Sequence, residues 1–354
     1  MLLSNLLISC AALATSSLAA ALPTKRQDDA KVGYFFVSFP VWDEAIYFSL
    51  SNGNDPHSYT RLCLDCTNAT EAILRSNVGT KGVRDAHIVP SRDGTNFFMT
   101  ATDLQVNSFT GDFNEATRFG SRSIVIWESP NLADWTQGRL SAPIVNASAG
   151  NVWAPETVWD PERETYVMVF ASRFWSPSDP RRTGRQPPNV LMYVTTDDFV
   201  TFSQAETYFW PGFPVIDTTF YHAVEEGPNV WYRLVKSEVD YMIWQQRSET
   251  GLFGTWTNVG GAPDGQRIEF ARGFSNNEGG LIFRDNIDPG RYHLWIDQSS
   301  TEQYIPAEAR TLNDMAAWQR VPLQGFPTSV KHGVVVPVTQ GQYDGILSRY
   351  RRKE

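Results

Sequence analysis

The chain has 354 residues, 42% of them hydrophobic and 13% aromatic, enough apolar content to close a large core and to exclude a disordered protein. Its formal net charge of −9 argues against nucleic acid as a partner, because that binding needs clustered Lys and Arg. The short basic tail "RYRRKE" reads as a solvated chain end.

Residues 1–26 form an apolar run that ends in small residues and then in the dibasic Lys25-Arg26, the pattern of a secretory signal peptide with a processing step after it. They are set apart from the fold, and residues 27–354 are expected to make one domain. No later run is apolar enough to span a bilayer. The mature protein is expected to be secreted, free of the membrane and monomeric. Two glycosylation sequons, at Asn68 and Asn146, agree with secretion. Cys10 leaves with the leader. Cys63 and Cys66, in "RLCLDCTN", are expected to form a small-loop disulfide in an oxidising compartment.

After the leader, "VGYFFVSFP", "EAIYFSLSNG" and "HSYTRL" read as three strands. A pattern of four strands then begins with "DAHIVPSRDGTNFFMTATDL" and "SRSIVIWESPNLADWTQGRL". It recurs from "APETVWDPERETYVMVFASRF", from "IDTTFYHAVEEGPNVWYRLVKSE" and from "NEGGLIFRDNIDPGRYHLWIDQS". In each unit Val, Ile, Phe, Tyr and Trp alternate with polar residues, and turns carry Asp, Gly, Pro or Asn. The poorest strand is "QYIPAEARTL", with its proline and alanines. Near the C-terminus "KHGVVVPVT" looks like a solitary first strand, which completes the three at the N-terminus. The expected fold is therefore all-β: a five-bladed β-propeller whose closing blade is shared by the two ends of the chain.

In a propeller the first strand of every blade lines the central channel, so residues at the starts of these strands converge on one mouth. Those positions hold Asp85, Glu156, Asp217, Glu278 and His332. Each has a plainer role open to it. Glu156 suits hydrogen bonding to turn amides, Asp217 an Asx turn, Asp85 a pair with Arg84, and His332 filling of the channel or ligation of an ion. Several carboxylates around one pocket suit glycoside hydrolysis, which needs one acid to protonate the leaving oxygen and a second carboxylate to activate water or attack carbon. Calcium would use the same atoms, but the closely spaced D-x-D pattern of calcium loops is missing. Trp153 in "NVWAPE" and Trp42 in "FPVWDE" fit a sugar-binding pocket, together with Glu156 and His332.

Taken in order, "VGTKGVRDAHIV", "GSRSIVIWESPNLADW", "VWAPETVWDPERETYVMVFAS", "VIDTTF", "NNEGGLIF" and "KHGVVVPVT" resemble glycoside hydrolase family 43 over nearly the whole mature chain. The resemblance implies an inverting hydrolase acting on terminal arabinofuranosyl or related furanosyl and xylosyl residues of polysaccharides. It puts the general base at Asp85, the residue that tunes and orients the acid at Asp217, and the general acid at Glu278. Glu278 is expected to stay protonated beside Asp217. The resemblance implies no required cofactor, and places His332 near a central calcium or sodium ion or a water. The usual Asp-Pro and Glu-Gly-Pro of the family are Asp85-Ala86 and Glu278-Gly279-Gly280 here, changes that spare the carboxylates. They also leave room for a rival reading, a catalytically silent carbohydrate-binding propeller. The long loops "SFTGDFNEATRFGS" and "FWSPSDPRRTGRQPPN" are expected to wall the mouth and favour attack at chain ends.

Overall fold

A computed structural model of the protein describes residues 30–67, 71–259, 276–299, 301 and 303–353. Residues 1–26, expected to be a signal peptide, and Asn68 lie outside these residues. Three strands open the described chain: β1 (Lys31–Pro40), β2 (Tyr47–Ser51) and β3 (Tyr59–Cys63). Four antiparallel sheets follow. The first holds β4 (Val83–Pro90), β5 (Phe97–Asp103), β6 (Ile124–Ser129) and β7 (Arg139–Leu140), with helix α1 (Phe113–Phe119) between β5 and β6. The second holds β8 (Trp153–Asp160), β9 (Thr165–Ser172), β10 (Val190–Thr196) and β11 (Glu206–Phe209). The third holds β12 (Val215–His222), β13 (Trp231–Ser237), β14 (Ile243–Ser248) and β15 (Trp256–Asn258). The fourth holds β16 (Asn277–Arg284), β17 (Tyr292–Gln298), β18 (Gln303–Ala309) and β19 (Gln319–Arg320). Finally β20 (Val330–Thr339) pairs with β1, Phe35 opposite Val336, and closes a five-bladed propeller by joining the two ends of the chain.

The alternating residues explain why the blades stack. Because successive side chains leave opposite faces of a strand, each blade feeds two different cores. Val125 and Trp127 pack with Phe35 and Phe48 of the closing blade, whereas Ile124 and Ile126 pack with Met168 and Phe170 of the next. Val167 and Val169 then meet Val215 and Val235, and Leu234 meets Leu294 and Ile296. The last core sets Phe283 and Trp295 against Tyr34 and Phe36. Burial on both faces is the reason runs such as "YVMVFA" are almost continuously apolar.

Two segments differ from expectation. "QYIPAEA" is a full strand, paired residue for residue with β17. Its proline is tolerated because Pro306 lies just beyond the two-residue edge strand β19, where its carbonyl accepts from Val321 N at 3.0 Å and no amide is required. The basic tail is not simply a solvated end. Helix α2 (Gln340–Arg349), opened by a capping box of Thr339 and Gln342, returns the chain so that β21 (Arg351–Arg352) adds a fifth strand beside β3. Tyr350 is buried between these elements, its hydroxyl donating to Ala133 O at 2.6 Å. Cys63 and Cys66 are joined by a disulfide next to this added strand, their Cα atoms 5.1 Å apart.

Candidate active site

The inner strands β4, β8, β12 and β16 all start at the same end of the channel, and each is interrupted there by a bulge. At the bulge one residue adopts left-handed backbone: Asp85 (φ 55°), Ala154 (50°), Asp217 (50°) and Gly279 (47°). A side chain on Gly279 has no room, since a Cβ there would lie 2.7 Å from His332 Cγ. The bulges turn Asp85 and Asp217 into the mouth, and they also correct the expected row of equivalent positions. Glu278 stands one residue before its bulge residue, level with Trp153, and Glu156 stands two residues after, level with His87 and Thr219.

The consequence for Glu156 is burial one layer down the channel, away from the mouth. It accepts from the Thr219 hydroxyl and from Phe220 N, with His87 Nε2 at 3.9 Å from the same carboxyl. Burial raises its pKa to about 7 against those two hydrogen bonds. Glu156 accepts hydrogen bonds, but from a hydroxyl and a strand amide of the next blade rather than from the turn amides expected. Trp42 is also displaced from the site. Half exposed at 51%, it lies in the turn after β1 and borders a separate hollow with Tyr47 and Arg61. Phe39 and Val41 occupy the mouth in its place.

The mouth itself is a pocket of about 410 Å³ that collects Asp85, Asp217, Glu278, His332 and Trp153. Asp85 Oδ2 accepts from Thr102 Oγ1 at 2.8 Å, and Oδ1 lies 3.4 Å from His332 Nδ1. Burial pushes the Asp85 carboxyl up, but the hydrogen bond and charge of His332, with Arg84 and Thr102, hold it below the usual carboxylate value. Burial likewise disfavours a charged His332, yet the hydrogen bond to Asp85 and the charges of Asp217, Asp85 and Asp297 raise it to about 9. Arg84 does not neutralise Asp85 directly. Its Nε donates to Glu44 Oε1 at 3.0 Å, and its guanidinium lies between the Phe39 and Phe113 rings.

Glu278 is held differently from expectation. Lys236 Nζ reaches Oε2 and Lys331 Nζ reaches Oε1, both at 2.8 Å. Burial opposes ionisation, but the two ammonium groups override it and hold the carboxyl down at about 2. Glu278 is therefore not kept protonated by Asp217. That aspartate is raised by burial, partly offset by Lys236 3.9 Å away and by His332. A fourth carboxylate, Asp297, sits behind Lys331 at 3.1 Å and accepts from His332 N at 3.0 Å. Burial, with Glu278 adding to it against Lys331, lifts Asp297 to about 7.

These surroundings do not suit a central cation at His332. His332 Nδ1 is turned to Asp85 at 3.4 Å, and a cation beside the ring would share the pocket with the two ammonium groups of Lys236 and Lys331. Among the described residues no group of three or more His, Cys, Asp or Glu is arranged to hold a metal.

Lys236, Asp297 and Lys331 escaped the sequence reading, although a signal was there. Second strands run back towards the mouth, so a charged residue at the end of an apolar second strand, as in "WYRLVKS" and "YHLWIDQ", belongs at the mouth.

The family described as "Probable glycosyl hydrolase domain" matches residues 29–344. An alpha-L-arabinofuranosidase of Bifidobacterium longum subsp. longum is 31% identical over 181 residues, which cover 48% of this chain and 16% of that protein. Among solved structures, the chain is similar to a thermostable family-43 glycoside hydrolase, with a TM-score of 0.46, 16% identity, and 72% and 76% of the two chains covered. It is also similar to an exo-beta-1,3-galactanase of Phanerochaete chrysosporium crystallised with galactose, with a TM-score of 0.45, 15% identity, and 72% and 51% covered.

Proposed function

The chain belongs to the glycosyl hydrolases related to family 43, and from that premise we propose that it is a secreted, inverting exo-glycosidase that removes terminal arabinofuranosyl residues from polysaccharide side chains. The observation that carries the chemistry is the meeting of Asp85, Asp217 and Glu278 in one pocket with Asp85 favoured in its ionised form. The arabinofuranosidase among its relatives favours the sugar. The apolar leader at residues 1–26 and the exposed sequon at Asn146 favour secretion and glycosylation.

Asp85 acts as general base: ionised and oriented by Thr102 and His332, it takes a proton from a water that attacks the anomeric carbon. Trp153, level with Glu278 but two blades away across the mouth, gives the sugar an apolar wall. Glu278 gives its proton to the leaving oxygen, but it must first gain one. At pH 5 a carboxyl of pKa about 2 pays about 4 kcal/mol to be protonated. Sugar hydroxyls entering the pocket therefore have to draw Lys236 or Lys331 away from the carboxyl, which raises its pKa as the substrate arrives. Asp217, beside both Lys236 and the Gly279 amide, fixes how far that lysine can move.

The same lysine clamp favours a second reading, a propeller that binds a sugar without cleaving it, because an acid locked as its anion cannot donate. Incubation with nitrophenyl arabinofuranoside, galactofuranoside and xyloside, with proton NMR of the first product, separates the two. Turnover with inversion supports the hydrolase; binding with no turnover on any of these or on arabinan supports the silent form.

A further inference from the structure

A hollow of about 700 Å³ lies apart from the pocket of the acids. It lies between the segment that joins β9 to β10 and the segment that joins β11 to β12. Both segments belong to the mouth end of the propeller, since β9 and β11 run towards the end at which β8 and β12 begin. The hollow is lined by Phe174, Trp175, Trp210, Phe213 and Pro188, with Arg185 on its edge. Trp210 is 42% exposed, and Phe213 is fixed edge-on against Trp244 at 4.8 Å.

This wall is ordered by its own hydrogen bonds. Arg182 donates to Ala147 O at 2.8 Å, to Ala149 O at 2.9 Å and to Arg118 O, and Arg118 donates back to Arg182 O. Asp179 accepts from Thr183 N and Gly184 N. Glu238 and Arg173 link the two cavities. Glu238 lines the acid pocket, while its carboxylate accepts from Arg173 Nη2 at 3.0 Å and from Asn189 Nδ2 at 3.0 Å, and Arg173 lines the aromatic hollow.

Resting on the glycosidase reading, we propose that this hollow binds the part of the substrate that remains after cleavage, a neutral oligosaccharide that runs from the acid pocket over the Glu238–Arg173 pair and stacks on Trp210. Flat aromatic faces at a rim suit the apolar faces of sugar rings, and a guanidinium on the edge suits their hydroxyls. Ordering of the wall before binding removes much of the entropy cost of gripping a flexible chain. The terminal sugar alone does not reach the hollow, so its effect grows with substrate length.

The test compares wild type with Trp210→Ala, and with Trp210→Phe as the conservative variant, on nitrophenyl arabinofuranoside and on a branched arabino-oligosaccharide of five or more residues. The ratio of kcat/KM for the oligosaccharide to that for the nitrophenyl glycoside should fall about tenfold in Trp210→Ala, through KM, and be largely restored by Phe. A ratio that does not move overturns the proposal. Titration of tryptophan fluorescence with the same oligosaccharide gives a readout without turnover. Binding that weakens in Trp210→Ala in a protein that hydrolyses nothing sustains the hollow and rejects the hydrolase, whereas turnover with no dependence on Trp210 does the reverse.

Discussion

Lys236 Nζ, at the end of the second strand of the third blade, stands 2.8 Å from Glu278 Oε2 in the fourth. Burial alone would raise the Glu278 pKa; this contact and the matching one from Lys331 reverse that. Removal of one cation should therefore return Glu278 towards the ordinary range. In Lys236→Met the basic limb of the kcat/KM profile is expected to move up by about 1 to 3 pH units, because the protonated acid persists to higher pH. Lys236→Arg, which keeps the charge, should leave the limb near its wild-type position. An unmoved limb in Lys236→Met would show that Glu278 does not control it.

His332 acts on the opposite limb. Its imidazolium favours the ionised form of Asp85 across 3.4 Å, so His332→Gln should raise the Asp85 pKa and shift the acidic limb of kcat/KM to higher pH. The same pair has a consequence for stability. A histidine raised from 6.5 to about 9 on folding contributes stability that is complete below 6.5 and lost as pH rises through about 9. Thermal melts of wild type and His332→Gln should accordingly converge as pH climbs from 6 to 10.

Glu156 works in the same direction through a different cause. A buried acid raised from 4.5 to about 7 binds more protons folded than unfolded, so its contribution to stability falls as pH rises across that window, by about 3 kcal/mol in all. Glu156→Gln removes the titration while keeping a carbonyl for Phe220 N. The melting temperature of the variant relative to wild type should be higher at pH 8 than at pH 4. A difference independent of pH would mean that the Glu156 carboxyl has the same pKa folded and unfolded.

The blades were legible because a buried two-faced sheet leaves a plain trace, alternating or continuous apolar runs between turn residues, and because the missing inner strand at one end matched the surplus strand at the other. The identities of Asp85, Asp217 and Glu278 followed from their place at strand starts. Their exact levels did not, since a bulge adds a residue to one strand without changing the pattern of the sequence, and this is what moved Glu156 a layer below the mouth. The lysines were hidden because they reach Glu278 from outside β16, one on β13 and one on β20. The tail was misread because strand pairing at Arg351 uses backbone groups, to which side-chain charge is no guide.

Tyr350 tests the weight of that tail. Its ring packs at 5.6 Å against Phe48, and its hydroxyl is satisfied by Ala133 O. Tyr350→Ala opens a cavity in the core shared by the closing and first blades and should cost about 3 to 5 kcal/mol in a denaturant melt. Tyr350→Phe loses only the hydrogen bond and strands Ala133 O, for about 1 to 2 kcal/mol. Equal losses in the two variants would place the contribution in the hydroxyl rather than in packing.

The roles of base and acid are separated by the leaving group. Asp85→Asn removes the group that takes the proton from water, a step needed whatever departs, so kcat/KM should fall about 100- to 10,000-fold on nitrophenyl glycosides and oligosaccharides alike. Glu278→Gln removes the proton donor, which a sugar leaving group needs and a dinitrophenolate hardly needs. Its loss should be as deep on oligosaccharides but within about tenfold of wild type on dinitrophenyl arabinofuranoside. Gln also releases Lys236 and Lys331 from their shared anion; Lys331 keeps its bond to Asp297, whereas the ammonium of Lys236, whose next carboxylate Asp217 is 3.9 Å away, can turn to the departing oxygen. Should that ammonium stabilise the leaving group itself, Lys236→Met added to Glu278→Gln would lower the dinitrophenyl rate further, whereas with Glu278 intact the same change moves only the pH profile. A plot of log kcat/KM against leaving-group pKa reads both: steep for Glu278→Gln, flat for Asp85→Asn. Parallel slopes would reverse or dissolve the assignment.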